Sequence, residues 1–191
     1  MKYPNSLQEL IEYFKLLPGI GEKNAERLAF AVLKFSDEQV EGFSSSLKNV
    51  KTKIKKCEIC NNLTENDKCD ICLDQSRSSD VLCVVENTKN LILFEKANVF
   101  NGKYHVLEGL ISPLEGINPE DIKINQLIKS IKDEKIKEVI LALTPNIEGE
   151  TTSGYILKML EGYDVSVTKI AAGIPVGADM EYLDPLTIQM A

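Results

Sequence analysis

Apolar positions in residues 6–56 recur at helical spacing. Leu7, Leu10, Ile11 and Phe14 fall at i, i+3, i+4 and i+7 and predict one apolar face of a helix. Ser6 with Glu9 three residues on reads as a capping box at its start, and Pro18-Gly19 as its end. A second helix is expected from about Glu22 to Lys34, with Ala25, Leu28, Ala29 and Val32 on one stripe. Ser36 and Gln39 make another capping box and open a third helix, on which Val40, Phe43, Leu47, Val50 and Ile54 alternate spacings of three and four. A stripe that narrow either packs on the first two helices or forms a coiled-coil-like subunit contact, and packing on the first two is the expectation.

From about Asp80 the pattern changes. Val81 to Val85 reads as a buried strand, Thr88 to Lys96 as a helix and Tyr104 to Leu107 as a short strand. Asn118 with Pro119 reads as an N-cap and first helical position, opening a helix that ends near Ile131. Val139 to Leu143 is a predicted strand, Thr151 to Leu160 a helix, and Val165 to Ala171 a strand. Such alternation implies a parallel sheet covered by helices on both faces. Residues 57–72 between the two regions are polar, rich in cysteine and too short for a core of their own. The expected fold class is therefore α+β in several parts, divided at 1–56, 57–79, 80–175 and 176–191.

Composition narrows the class. The chain has 191 residues, 43% hydrophobic and 27% charged, which excludes wholesale disorder and a collagen-like fibre. No window approaches eighteen unbroken apolar residues, so no membrane-spanning helix is expected. Residues 1–10 hold no apolar stretch behind a basic start, so no secretory signal is expected and the cytoplasm is the expected location. The net charge of −7 hides an asymmetry. Residues 1–56 carry ten Lys/Arg against seven Asp/Glu, and residues 57–191 carry twelve against twenty-two. A basic arm suited to phosphate beside an acidic body suited to a protein or a metal is one reading, and an uneven solvated surface is the other.

Three groups of residues carry candidate chemistry. Cys57-Glu58-Ile59-Cys60 and Cys69-Asp70-Ile71-Cys72 are two C-x-x-C pairs separated by eight residues. In a reducing compartment they point to metal: four thiolates in a tetrahedron suit structural Zn²⁺ with no open position for water. An iron–sulfur cluster is the other metal reading. Lys55, Lys56 and Lys68 are expected to help hold the thiols deprotonated. Cys83, in mid-strand, reads as a buried inert thiol.

The second group is Leu17-Pro18-Gly19-Ile20-Gly21 between two amphipathic helices. Gly19 and Gly21 let the turn take positive φ and let a phosphate approach backbone N–H groups, and Lys23 and Arg27 lie four apart on the next helix. A plain helical hairpin is the alternative. The third group is acidic: Glu86 after the first strand, and Asn146, Glu148 and Glu150 after a later one, can meet on one rim at the carboxyl ends of the strands. That rim could hold Mg²⁺ or be a solvated acidic edge, and the solvated edge is the expectation. His105, the only histidine, suggests packing, and Gly173-Ile174-Pro175-Val176-Gly177 a structural turn.

The order of these parts resembles the RecR family of bacterial recombination mediators. The resemblance covers nearly the whole chain. It rests on Leu16 to Gly21 with Arg27 to Phe30, the four cysteines, Cys83 to Glu86, Tyr104 to Leu107, Ser112 to Ile117, and Gly173 to Gly177 with Glu181-Tyr182. It implies a helix-hairpin-helix DNA-binding arm, a four-cysteine zinc module and a Toprim α/β domain. It also implies a non-enzymatic tetrameric ring that binds DNA and RecO and helps load RecA onto strands coated by the single-strand-binding protein, in the cytoplasm and at the nucleoid during repair. Gly19, Gly21, Lys23 and Arg27 match the DNA-contacting arm, Cys57, Cys60, Cys69 and Cys72 the zinc ligands, and Glu86, Asn146 and Glu148 the acidic rim linked to RecO. In such a ring basic arms line the hole and acidic surface faces outward.

The sequence departs from the family pattern in three places. Asn146 and Glu148 stand where catalytic Toprim enzymes carry an Asp-x-Asp pair, which weakens any Mg²⁺ chemistry there. Ala172 stands where many relatives have Arg, and the segment after Leu186 to Ile188 is short for the family. The rival readings are a Toprim nuclease or primase-like enzyme using Mg²⁺ at Glu86 and Glu148, and a zinc-stapled RNA-binding module.

Overall fold

The structure, a computed structural model, describes residues 3–171, 173, 174 and 176–190, without the side chains of Glu134, Leu186, Gln189 and Met190. It divides into two compact units, Met1–Ile54 and Lys55–Ala191.

The first unit is helical: α1 (Asn5–Lys15), α2 (Glu22–Val32) and α3 (Asp37–Lys53). Ile11, Ala25 and Ala29 are fully buried, with Leu7, Leu10, Phe14 and Ile20 packed around them. The alanines let α1 and α2 approach closely. The first capping box does not form. Pro4 sets an extended N-cap and its carbonyl accepts from Leu7 and Gln8, so the helix starts at Asn5 and Ser6 falls inside the first turn. The second box does form: Ser36 Oγ accepts from the Gln39 amide at 3.3 Å, and Gln39 Oε1 from the Ser36 amide at 2.9 Å. The α3 stripe does not pack on the first two helices. None of its residues is buried, and Leu47 and Val50 are 59% and 57% exposed. Ile11, Ala25 and Ala29 close the α1–α2 core without any α3 residue, so the α3 stripe stays uncovered among the described residues.

The second unit opens with a ribbon, β1 (Lys55–Lys56) and β2 (Leu63–Thr64), and a single turn of helix, α4 (Asp70–Leu73). Then come β3 (Val81–Val85), α5 (Thr88–Ala97), β4 (Lys103–Val106), α6 (Ile124–Glu134), β5 (Glu138–Ala142), α7 (Ile147–Met159), β6 (Ser166–Lys169) and α8 (Pro185–Met190). The sheet is parallel in the order β4-β3-β5-β6. Leu82, Val84, Val139 and Leu141 pack on Leu127, Ile131 and Ile156 on one face, and Cys83, Val85, Tyr104 and Val106 on Leu91 on the other. Burial on both faces explains the unbroken apolar run of β3.

Two helix starts differ from expectation. Asn118 and Pro119 lie in a turn that Asp121 closes by accepting from the Asn118 amide at 2.8 Å, and α6 begins only at Ile124. In contrast, α7 begins four residues before Thr151, because Asn146 is its cap. Ala172 and Pro175 lie outside the described residues. No helix of the described residues is long and apolar enough to cross a membrane.

Candidate metal centre and nucleic-acid interface

The four cysteines come together on two backbone turns. In the first, the Cys57 amide donates to the Asn62 carbonyl at 2.7 Å and the Asn61 amide to the Cys57 carbonyl at 3.0 Å, with Asn61 at φ +61°. In the second, Cys69 caps α4 and the Leu73 amide returns to its carbonyl at 3.1 Å. All four Sγ atoms lie within 4.8 Å of one another. Cys60 and Cys69 are 3.5 Å apart, Cys57 and Cys72 3.8 Å. The Cys69 amide points at Cys57 Sγ, 3.3 Å away. Cys57, Cys60 and Cys69 are 0%, 1% and 3% exposed, while Cys72 is half-buried. Their hydrogen bond pushes the Cys60 thiol up and holds Cys69 well below the ordinary thiol range. Four soft donors this close, deprotonated around a divalent cation, fit structural Zn²⁺. Two of the three lysines expected to support the thiolates are engaged by carboxylates instead: Lys55 pairs with Asp67 and Lys56 with Glu108.

The α1–α2 loop leaves its backbone open. Gly19 takes φ +80°, and a Cβ at Gly19 or Gly21 would meet nothing. Gly21 is the N-cap of α2, and no side chain caps that helix. Lys23 and Arg27 are exposed and have no acidic partner among the described residues, whereas Lys15 pairs with Glu22 at 2.7 Å. Uncapped N–H groups at a helix start, flanked by two free cations, make a place for an anion.

The acidic rim forms only in part. β3 and β5 are neighbours, so Glu86 meets the β5–α7 turn and accepts from Thr144 Oγ1 at 2.7 Å. Asn146 Oδ1 is occupied by the Gly149 amide at 2.8 Å, and Glu148 lies in the first turn of α7. Glu150 is not a free rim acid, since it pairs with Lys169 at 2.6 Å. Among the described residues only the cysteine set brings three or more potential ligand groups close enough for a metal ion. His105 is buried and donates from Nε2 to the Lys123 carbonyl at 2.9 Å, and burial lowers its pKa to about 4. Burial alone pushes Cys83 up to about 12, leaving an inert thiol.

Four family models match the chain in order: the RecR helix-hairpin-helix over residues 7–51, the RecR four-cysteine zinc finger over 54–74, a Toprim domain over 80–171 and the RecR C-terminal part over 173–191. The chain belongs to the RecR family. Its four cysteines are the zinc finger of this RecR chain, its parallel sheet is the Toprim domain, and its domains give it a role in recombinational repair.

Some groups that hold the RecR zinc finger in place carry no signal in the sequence. Lys103 Nζ donates to the carbonyls of Ile71, Cys72 and Asp74, at 2.7, 3.2 and 2.6 Å. Gln126 Nε2 donates to the carbonyls of Glu58 and Ile59. The Val106 amide donates to the Cys60 carbonyl at 2.8 Å and Asn61 Nδ2 to the Val106 carbonyl, so the finger binds the carboxyl end of β4 on its outer edge. Gly149 was also missed: a Cβ there would sit 1.9 Å from the Thr144 carbonyl oxygen.

Proposed function

We propose that this protein is a non-enzymatic recombination mediator that binds DNA through phosphates, without sequence preference. The observation that carries the reading is the open glycine turn between α1 and α2, with Lys23 and Arg27 beside it unpaired among the described residues. Amides at the start of α2 and the positive end of its dipole hold one phosphate, and the two side chains add charge on the same helix face. We assign residues 1–56 to this arm, 57–79 to the zinc module, 80–175 to the Toprim domain and 176–191 to a C-terminal segment. The protein acts as a homo-oligomer, a tetrameric ring, and the exposed α3 stripe is an apolar surface suited to a subunit contact. Glu86 and Glu148, with Asn146 between β5 and α7, dock RecO through its basic side chains. The assembly then helps load RecA onto single strands coated by the single-strand-binding protein, in the cytoplasm at the nucleoid.

The rim supports docking over Mg²⁺ chemistry, since Thr144 engages Glu86 and Asn146 is used as a cap. The deciding experiment measures DNA affinity against salt for the wild type and the Lys23→Ala/Arg27→Ala double variant. Binding should weaken equally on all sequences, and the slope of log affinity on log salt should fall by about one for each lost phosphate contact. An unchanged slope in a folded variant would refute the phosphate role. DNA cleavage or primer synthesis with Mg²⁺ or Mn²⁺ would establish the enzymatic alternative.

A further inference from the structure

The four zinc ligands are not equally protected. Cys57, Cys60 and Cys69 are buried, although Cys69 borders an open depression beside Asn62 and Leu91, while Cys72 is half-buried and lines a cavity of about 200 Å³ with Ile59, Ser79, Leu82, Lys103 and Ser130. Lys103, which lines the same cavity, donates from its ammonium to the Cys72 carbonyl at 3.2 Å. Two sulfur contacts run between the two knuckles: Cys57 to Cys72 at 3.8 Å and Cys60 to Cys69 at 3.5 Å. With all four sulfurs serving as zinc ligands, exposure decides which of them an oxidant reaches first, and a neighbouring thiol resolves the first product.

We propose that Cys72 is an oxidation site for small hydroperoxides, that Cys57 is its resolving partner, and that their disulfide releases the zinc. The Cys72 thiolate attacks one peroxide oxygen. An S–O bond forms, the O–O bond breaks and hydroxide leaves, giving the sulfenic acid. The Cys57 thiolate, 3.8 Å away, attacks that sulfur. The S–S bond forms, the S–O bond breaks and a second hydroxide leaves, and solvent protonates both hydroxides to water. The two thiolates lose two electrons and the peroxide gains two. With two ligands gone the tetrahedron is lost, and a second equivalent of peroxide joins Cys60 to Cys69. Reduction by a thiol followed by zinc restores the site.

The test uses the intact, zinc-loaded, reduced protein and hydrogen peroxide added in steps up to two equivalents. Zinc release is followed with a chromogenic chelator, sulfenic acid is trapped with dimedone, and disulfides are mapped by mass spectrometry. The expected result is a first adduct on Cys72, a first disulfide between Cys57 and Cys72 appearing together with zinc loss, then Cys60–Cys69. Cys83 stays reduced throughout. First disulfides within either C-x-x-C pair, a first adduct on another ligand, or oxidation of Cys83 in step with Cys72 would overturn the proposal.

Discussion

At the scale of single residues, close approach and burial set the tightest requirements. Gly149 lets α7 start directly under the Thr144 carbonyl, and Gly149→Ala puts a methyl group where backbone already stands. The variant should lose about 2–3 kcal/mol and lower the Tm of the α/β unit by roughly 5–10 °C, read by calorimetry. His105 makes stability depend on pH. Its folded pKa of about 4 lies below the ordinary 6.5, so above pH 6.5 the ring is neutral in both states. As pH falls from 6.5 toward 4 the unfolded chain takes up the proton first, and stability drops by up to ~1.4 kcal/mol per unit. His105→Gln should flatten that limb of the denaturant midpoint against pH, with zinc content measured in the same samples. On the proposed docking rim, Glu86→Lys or Glu148→Lys should weaken RecO binding by about tenfold or more through like-charge contact. Zinc content and DNA binding by the protein alone should hardly change, and titration calorimetry against RecO checks the point.

At the scale of elements, the zinc finger and β4 act as one piece. Removing zinc by chelation, or one ligand by Cys60→Ser, should free residues 57–74 and raise the exchange rate of the Val106 amide, whose acceptor is the Cys60 carbonyl. Amides of the central strand β3 should keep their protection, and hydrogen-exchange mass spectrometry separates the two. This scale also shows what the sequence can express. The Ser36–Gln39 box and the C-x-x-C turns were legible because their partners lie within a few residues. The β3 strand was legible because burial on both faces demands an unbroken apolar run. The start of α1 was misplaced because Pro4 fixes the entry geometry before Ser6 can cap. The helix expected at Asn118 was displaced because Asp121 folds back on it. Periodicity on α3 gave the apolar face, but not whether anything covers it. Lys103 and Gln126 escaped notice because their acceptors are main-chain carbonyls of distant residues, which no side-chain pattern encodes.

At the scale of the molecule, an acidic chain with a basic N-terminal segment must reconcile DNA binding with a net charge of −7. Self-association is the proposed answer, and the α3 stripe is its testable part. Leu47→Glu removes nothing from the chain's own core, since that side chain is 59% exposed. Light scattering should give a multiple of 21.3 kDa for the wild type and a smaller mass for the variant, with zinc content unchanged. The strand order β4-β3-β5-β6 also imposes a timetable on synthesis. When β3 and β4 have left the ribosome, β5 is still to come, and at about 5–20 residues per second the apolar ribbon waits several seconds with its inner edge open. Its outer edge is met at Val106 at once, because the Cys60–Asn61 turn that binds it was translated earlier. Zinc present during translation therefore shortens the sticky edge of the nascent chain, whereas zinc supplied after release comes too late. In a zinc-depleted cell-free system the deficit should appear as aggregated nascent chain that later addition of the ion does not recover.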